Sequence, residues 1–146
     1  MIRVVIDTNV LVAALRSNMG ASHALVSLLP SEKFHFCLSV PLYIEYKTVL
    51  TRPDNMSGQS STEEIIAFLR YLCRIACHQK IFYLWRPWLR DPKDDMVLEL
   101  AVAAKCQYII TYNLKDFANI QQFGITAIPP GTFLKILAEG EKWAAH

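Results

Sequence analysis

Asp7 stands directly after the apolar, β-branched run Ile2–Ile6, with Thr8 and Asn9 behind it. An acid at the end of a strand can cap the helix that follows, but Thr8 or Asn9 would cap equally well, so capping alone does not require Asp7. Glu45 is flanked by Tyr43, Ile44 and Tyr46. As an ordinary helical glutamate it would pair with Lys47. Among apolar neighbours, an unpaired carboxylate is costly unless a cation neutralises it. Asp91, Asp94 and Asp95 open a later helix, where the dipole favours one or two acids. Asp91 is the expected cap and Asp94 can serve the amide end. Asp95 has less structural reason to be there, and Glu99 follows one turn later on the same face, where like charges repel. Asn113 and Asp116 follow another apolar run and suit a turn. Carboxylates delivered from four separate elements to one place would repel unless they held a hard divalent cation. Oxygen donors with no companion His or Cys favour magnesium or manganese over zinc.

The elements that must bring these residues together can be read from hydrophobic periodicity. Residues 2–6 and 34–38 read as strands covered on both faces, as do 107–111 and 125–128. Between them, helices are expected over 10–16 and 22–29, interrupted by Ser17-Asn18-Met19-Gly20 and ended by Pro30. Ser39 has the character of an N-cap, with Pro41 in the first turn of a helix to about residue 50. Ser61-Thr62-Glu63-Glu64 has capping-box spacing, ahead of a helix with Ile65, Phe68, Leu69, Leu72 and Ala76 on one face. That helical spacing places Cys73 and Cys77 on one face. Residues 81–84 read as a short strand or irregular chain. Asp91-Pro92 opens a helix to about residue 104, and residues 132–138 form a last one. Residues 52–60 read as a polar loop, not a domain linker. Strands alternating with helices predict an α/β fold, a three-layer α/β/α sandwich around a central parallel sheet. Ligands bind outside the carboxyl ends of such strands, the rim to which Asp7, Asn113 and Asp116 belong.

Composition narrows the alternatives. The 146 residues are 53% hydrophobic and 19% charged, a globular composition that fits one domain over residues 1–146. No apolar run reaches membrane-spanning length and no signal-peptide pattern opens the chain, so a cytoplasmic protein is expected. The net charge of +2 neither repels a polyanion nor announces a nucleic-acid binder. Cys37, Cys73, Cys77 and Cys106 lie in apolar surroundings without zinc-knuckle spacing, and buried free thiols are expected. The five glycines fall in no phosphate-loop pattern. Tyr83, Trp85 and Trp88, interleaved with Arg86 and Arg90, suit core packing or a dimer contact better than base stacking. Arg16, Lys47, Arg52, Lys93 and Lys115 complete a set from which two or three flanking-phosphate contacts are expected.

The segments VVIDTNVLVAAL, LSVPLYIEYKTVLTRP, RDPKDDMVLELAVAAKCQYIITYNLKDF and ITAIPPGTFL resemble, in order and spacing, the PIN-domain family. Within it they resemble the toxin components of bacterial toxin–antitoxin pairs. The resemblance implies a ribonuclease that uses one or two magnesium or manganese ions. Asp7, Glu45 and Asp95 match the family's three principal acids, with Asp94 the alternative to Asp95 by a one-residue shift. The fourth acid maps to Asp116 or to the position of Asn113, where many relatives have Asp. Thr8, Asn9 and Thr111 match polar positions lining the family's site, and Glu99 fits the same pocket by helical geometry. The resemblance further implies an RNA substrate, a homodimer and an antitoxin partner. The chemistry it implies is metal-assisted phosphodiester hydrolysis. The competing expectations are a PIN-like module that binds RNA or protein without cutting, and an aspartyl phosphotransferase at Asp7. The second of these usually wants an acid where Asn9 stands.

Overall fold

The computed structural model describes residues 1–55, 61–81 and 88–144, excluding the side chains of residues 141–144. Five strands form one parallel sheet: β1 (Ile2–Ile6), β2 (Phe34–Leu38), β3 (Cys77–His78), β4 (Tyr108–Ile110) and β5 (Thr126–Ile128), in spatial order β3-β2-β1-β4-β5. The helices are α1 (Thr8–Arg16), α2 (Ala21–Ser27), α3 (Val40–Leu50), α4 (Thr62–Ile75), α5 (Pro92–Ala103) and α6 (Pro130–Ala144). Both faces of the sheet are covered. Val4 and Val5 point to opposite faces, as do Ile109 and Ile110, and none of the four has exposed surface. On one face α6 inserts Phe133, whose ring meets Phe34 and Tyr108 edge-on at 5.1 and 5.8 Å. The structure is the expected α/β sandwich with the expected parallel sheet.

Local chemistry sets most boundaries. Asp7 caps α1 by accepting from the Thr8 amide, so the helix starts at Thr8, ahead of the expected residue 10. Ser39 caps α3 by accepting from the Leu42 amide, with Pro41 in the first turn. Ser61 accepts from the Glu64 amide to open α4, whose Ile65, Leu69 and Leu72 are buried. Asp91 caps α5 through the Lys93 amide, ahead of Pro92.

One boundary differs in a way that matters. Helix α4 ends at Ile75, and Ala76 is already extended at φ −75° and ψ 152°. Cys77 and His78 therefore leave the helix and pair with Cys37 and Leu38 as the edge strand β3. Two residues are too few to show an alternation, so the helical periodicity of α4 was read on through them. Of the 81–84 segment, Ile81 lies outside any strand and the rest falls outside the described residues.

Two features fix the rim where the site lies. The strand ladder runs one residue past each of the two central strands: the Asp7 amide donates to the Ile110 carbonyl and the Thr111 amide to the Ile128 carbonyl, each at 2.9 Å. The hydroxyl of Tyr46, a wholly buried residue, donates to the Ile6 carbonyl and ties the middle of α3 to the end of β1.

Candidate active site

At the carboxyl edge of the sheet a cavity of about 170 Å³ opens over the end of β1. Asp7, Thr8 and Asn9 line it from the β1–α1 junction, Glu45 from α3, and Asp91, Lys93 and Asp94 from the start of α5. Asn113 and Asp116 complete it from the segment after β4. Thr8 and Asn9, together with Arg16, also line an adjoining groove of about 540 Å³ between α1 and the end of α3.

Asp7 is the most firmly placed of these acids. Its Oδ1 accepts from the Thr8 amide at 2.8 Å, and its Oδ2 accepts from the Thr111 hydroxyl at 2.8 Å and from Asn9 Nδ2 at 3.3 Å. Thr111, wholly buried, joins the two central strands at the rim: the same hydroxyl accepts from Asn9 Nδ2 at 3.3 Å and from the Asn113 amide at 3.0 Å. Asn9 Oδ1 in turn accepts from the Tyr112 amide at 3.3 Å. Each interaction is modest. Together they hold one carboxylate in one orientation with part of its oxygen surface toward the cavity.

Electrostatically the cavity is a group of acids that oppose one another's ionisation. Burial raises the Asp7 carboxyl above its usual range, and the charges of Asp116 and Glu45 raise it further, against the hydrogen bonds from Thr111 and Thr8. Asp94 is pushed up to about 7, first by burial and then by Asp7, Asp116, Asp91 and Asp95. The cation nearest to hand is weakly engaged: Lys93 Nζ stands 3.8 Å from Glu45 Oε1 with the lysine side chain half exposed. Among the described residues, no three His, Cys, Asp or Glu side chains are drawn together closely enough to grip a metal ion as they stand. The donors are all oxygen, and their mutual repulsion is what a divalent cation would relieve.

The structure separates the neighbours Asp94 and Asp95. Asp95 was expected in this ring, but its carboxylate accepts the Leu89 amide at 2.7 Å and the Trp88 amide at 3.2 Å. Almost wholly buried, it anchors the chain entering α5 and does not line the cavity. Asp94, one residue earlier on the helix and so turned by about 100°, faces Asp7 instead. Glu99 shares a helix face with Asp95, is buried with it, and likewise does not line the cavity. Asp91, read as a cap, does both jobs. Of the other polar candidates, Thr8, Asn9 and Asn113 line the cavity and Thr111 supports it from beneath. Arg16 is held by Asn55 Oδ1 at 2.7 Å beside the larger groove. Trp88 is half exposed, its ring edge-on to Phe123 at 5.2 Å, whereas Tyr83, Trp85 and Arg86 lie outside the described residues.

Residues 3–115 match the protein-family description "PIN domain". Among curated protein sequences, none matches the chain significantly. Among solved structures, a chain from the crystal structure of VapBC2 from Rickettsia felis bound to a DNA fragment from their promoter is similar in fold. Its TM-score is 0.60 at 16% sequence identity, over 86% of this chain and 97% of that one.

Proposed function

The chain belongs to the PIN domain family, and from that premise we propose that it is a magnesium- or manganese-dependent endoribonuclease. The observation that carries this reading is the cavity at the sheet's carboxyl edge, where Asp7, Glu45, Asp94 and Asp116 meet with no strong counter-charge. Those four carboxylates would hold one or two ions. A divalent ion held there would supply an activated water and stabilise the leaving oxygen. The chain's own contributions are positional. Thr111, Asn9 and the Thr8 amide hold Asp7 in one orientation. Tyr46 holds α3, and with it Glu45, against the end of β1. Asp95 fixes the entry to α5 so that Asp94 is presented to the cavity. Arg16 and Lys93 border the openings through which a phosphate backbone would approach, and both would lessen its repulsion by the acids.

The wider biological reading is that of a toxin in a toxin–antitoxin pair, cytoplasmic, homodimeric and held in check by a cognate antitoxin protein. Its support is the family together with the fold shared with a chain from a VapBC2 structure. Among the described residues, no helix is long and apolar enough to cross a membrane. The test is cleavage of RNA by the purified chain with magnesium or manganese present. Cleavage is expected to stop on chelation and in Asp7→Asn. RNA cleavage that survives both would overturn the proposal. A second reading, a PIN module that binds RNA or protein without cutting, draws support from Asn113, which brings an amide to the cavity where many relatives bring a carboxylate. RNA binding without cleavage in either metal would favour it.

A further inference from the structure

Away from the acidic rim, on the β2–β3 side of the sheet, a cation sits without a carboxylate among the described residues. Arg3 in β1 sends its guanidinium along the face shared by Cys37 and Cys77, which are register partners on the neighbouring strands β2 and β3. Arg3 Nη2 donates to Cys77 Sγ at 3.2 Å, and Arg3 Nε is buried without a partner. Among the described residues, the groups acting on this guanidinium are the thiols of Cys37, Cys77 and Cys106. An arginine stays charged at any physiological pH, and a partly buried charge is costly without a counter-charge. The thiols are the groups placed to provide one.

Their arrangement fits that role. The neighbouring Cys106 thiol and the Arg3 charge draw the Cys37 thiol down to about 7 against its burial, while the Cys106 thiol is pushed up. Cys77 stands beside Cys37 as its register partner and acts on it in the same direction. Cys37 and Cys106 are buried, whereas Cys77 is partly exposed, so Cys77 is the member through which the cluster meets solvent. Partly exposed thiols beside a cationic group are the reactive ones, and buried thiols without such a partner are inert. Adjacent strands lie about 4.8 Å apart, inside the Cα separation of about 4.4–6.8 Å that a disulfide spans.

We propose that Cys77 and Cys37 form an oxidisable thiol pair, with Arg3 as the cation in contact with Cys77 and a hydroperoxide as the oxidant. The Cys77 sulfur attacks the O–O bond and gives up its thiol proton. One oxygen joins the sulfur as a sulfenic acid, and the other leaves as hydroxide or alkoxide and takes up a proton. The Cys37 sulfur then displaces the sulfenic hydroxyl, which departs with a proton as water. Two thiols have lost two electrons, the peroxide has gained them, and the new disulfide joins β2 to β3.

Cys73 provides a control in the same molecule, because it is similarly half buried but burial pushes its thiol up and Arg3 does not act on it. With the full chain near neutral pH, iodoacetamide is expected to alkylate Cys77 about tenfold faster than Cys73. Hydrogen peroxide is expected to give a product lighter by two hydrogens, in which the peptides carrying Cys37 and Cys77 are linked. Arg3→Gln is expected to slow both reactions about tenfold, and Arg3→Lys to restore part of the rate. Equal alkylation of the two cysteines would overturn the proposal, as would a linkage that excludes either Cys37 or Cys77. If Arg3→Gln fails to fold, Cys77→Ser decides: the linked product must vanish, and its persistence counts against the pair. None of these measurements depends on nuclease activity.

Discussion

Strand β1 connects two sites with opposite electrostatic deficits. At its carboxyl end, Asp7 joins Glu45, Asp94 and Asp116 in a cavity where, among the described residues lining it, the cation is Lys93, 3.8 Å from a single carboxylate oxygen. Toward its other end, Arg3 has thiols for company and no carboxylate among the described residues. The core between them is close to uniformly apolar, so neither imbalance can be relieved through the sheet. The comparison teaches that a fold can leave charge uncompensated in two ways. An excess of acids calls for an added cation, whereas a lone guanidinium lowers the pKa of a weak acid that is already there. The first needs a ligand from outside, and the second is met within the chain.

The largest expected effect tests the acidic side. Asp94→Asn is expected to weaken magnesium binding about a hundredfold by calorimetry, whereas Asp95→Ala leaves it within about threefold. Equal losses in the two variants would erase the distinction between ligand and anchor. Asp95→Ala instead removes the acceptor for the Trp88 and Leu89 amides. It is expected to cost about 1–3 kcal/mol in denaturant-induced unfolding. Smaller again, and opposite in sign, Asp94→Asn is expected to stabilise the metal-free protein by about 1 kcal/mol, a rise in Tm of ~3 °C. It removes one of several charges that burial and like neighbours disfavour. A fall in Tm would mean that the acids are already balanced. Smallest of all, Lys93→Ala is expected to tighten magnesium binding about twofold, because an exposed pair with Glu45 is worth little and competes with the ion. All three substitutions are expected to leave alkylation of Cys77 unaltered, and Arg3→Gln to leave magnesium binding unaltered. Cross-effects in either direction would show that the two sites are coupled.

How much of this was legible in the sequence depended on how strongly each residue's neighbours announced its surroundings. Strands β1 and β2 were bounded correctly because each is a short, mostly buried run interrupted by a single polar residue, Arg3 in β1 and His35 in β2. The starts of α3, α4 and α5 were legible because Ser39, Ser61 and Asp91 cap them by short-range hydrogen bonds. Asp7 and Glu45, singled out because one ends a covered strand and the other interrupts an apolar helix, both line the cavity. Asp94 and Asp95 could not be told apart, since which of them faces the cavity depends on where the chain before α5 places the Trp88 and Leu89 amides. Glu99 was assigned to the cavity through its helical relation to Asp95, and turns inward with it. The Arg3 cluster was not anticipated. It needs Cys77 on a two-residue edge strand whose only reason to be one is pairing with β2, a contact forty residues back in the chain.

The hydrogen bond between Asp7 and Thr111 has a consequence in time as well as in space. It spans 104 positions of sequence, and β4 takes its place in the sheet by pairing directly with β1. A ribosome makes Asp7 early, yet the chain has no oriented acid until Thr111 and the strand before it have emerged. Such long-range parallel pairing is slow to form compared with local structure. A nascent chain can therefore build α1 and α3 while the acidic cavity remains unassembled. The first residue of the site to be translated is among the last to be set. For the ribonuclease proposed above, whose substrates would include RNAs present during its own synthesis, that order would delay activity until the strand before Thr111 has emerged and paired.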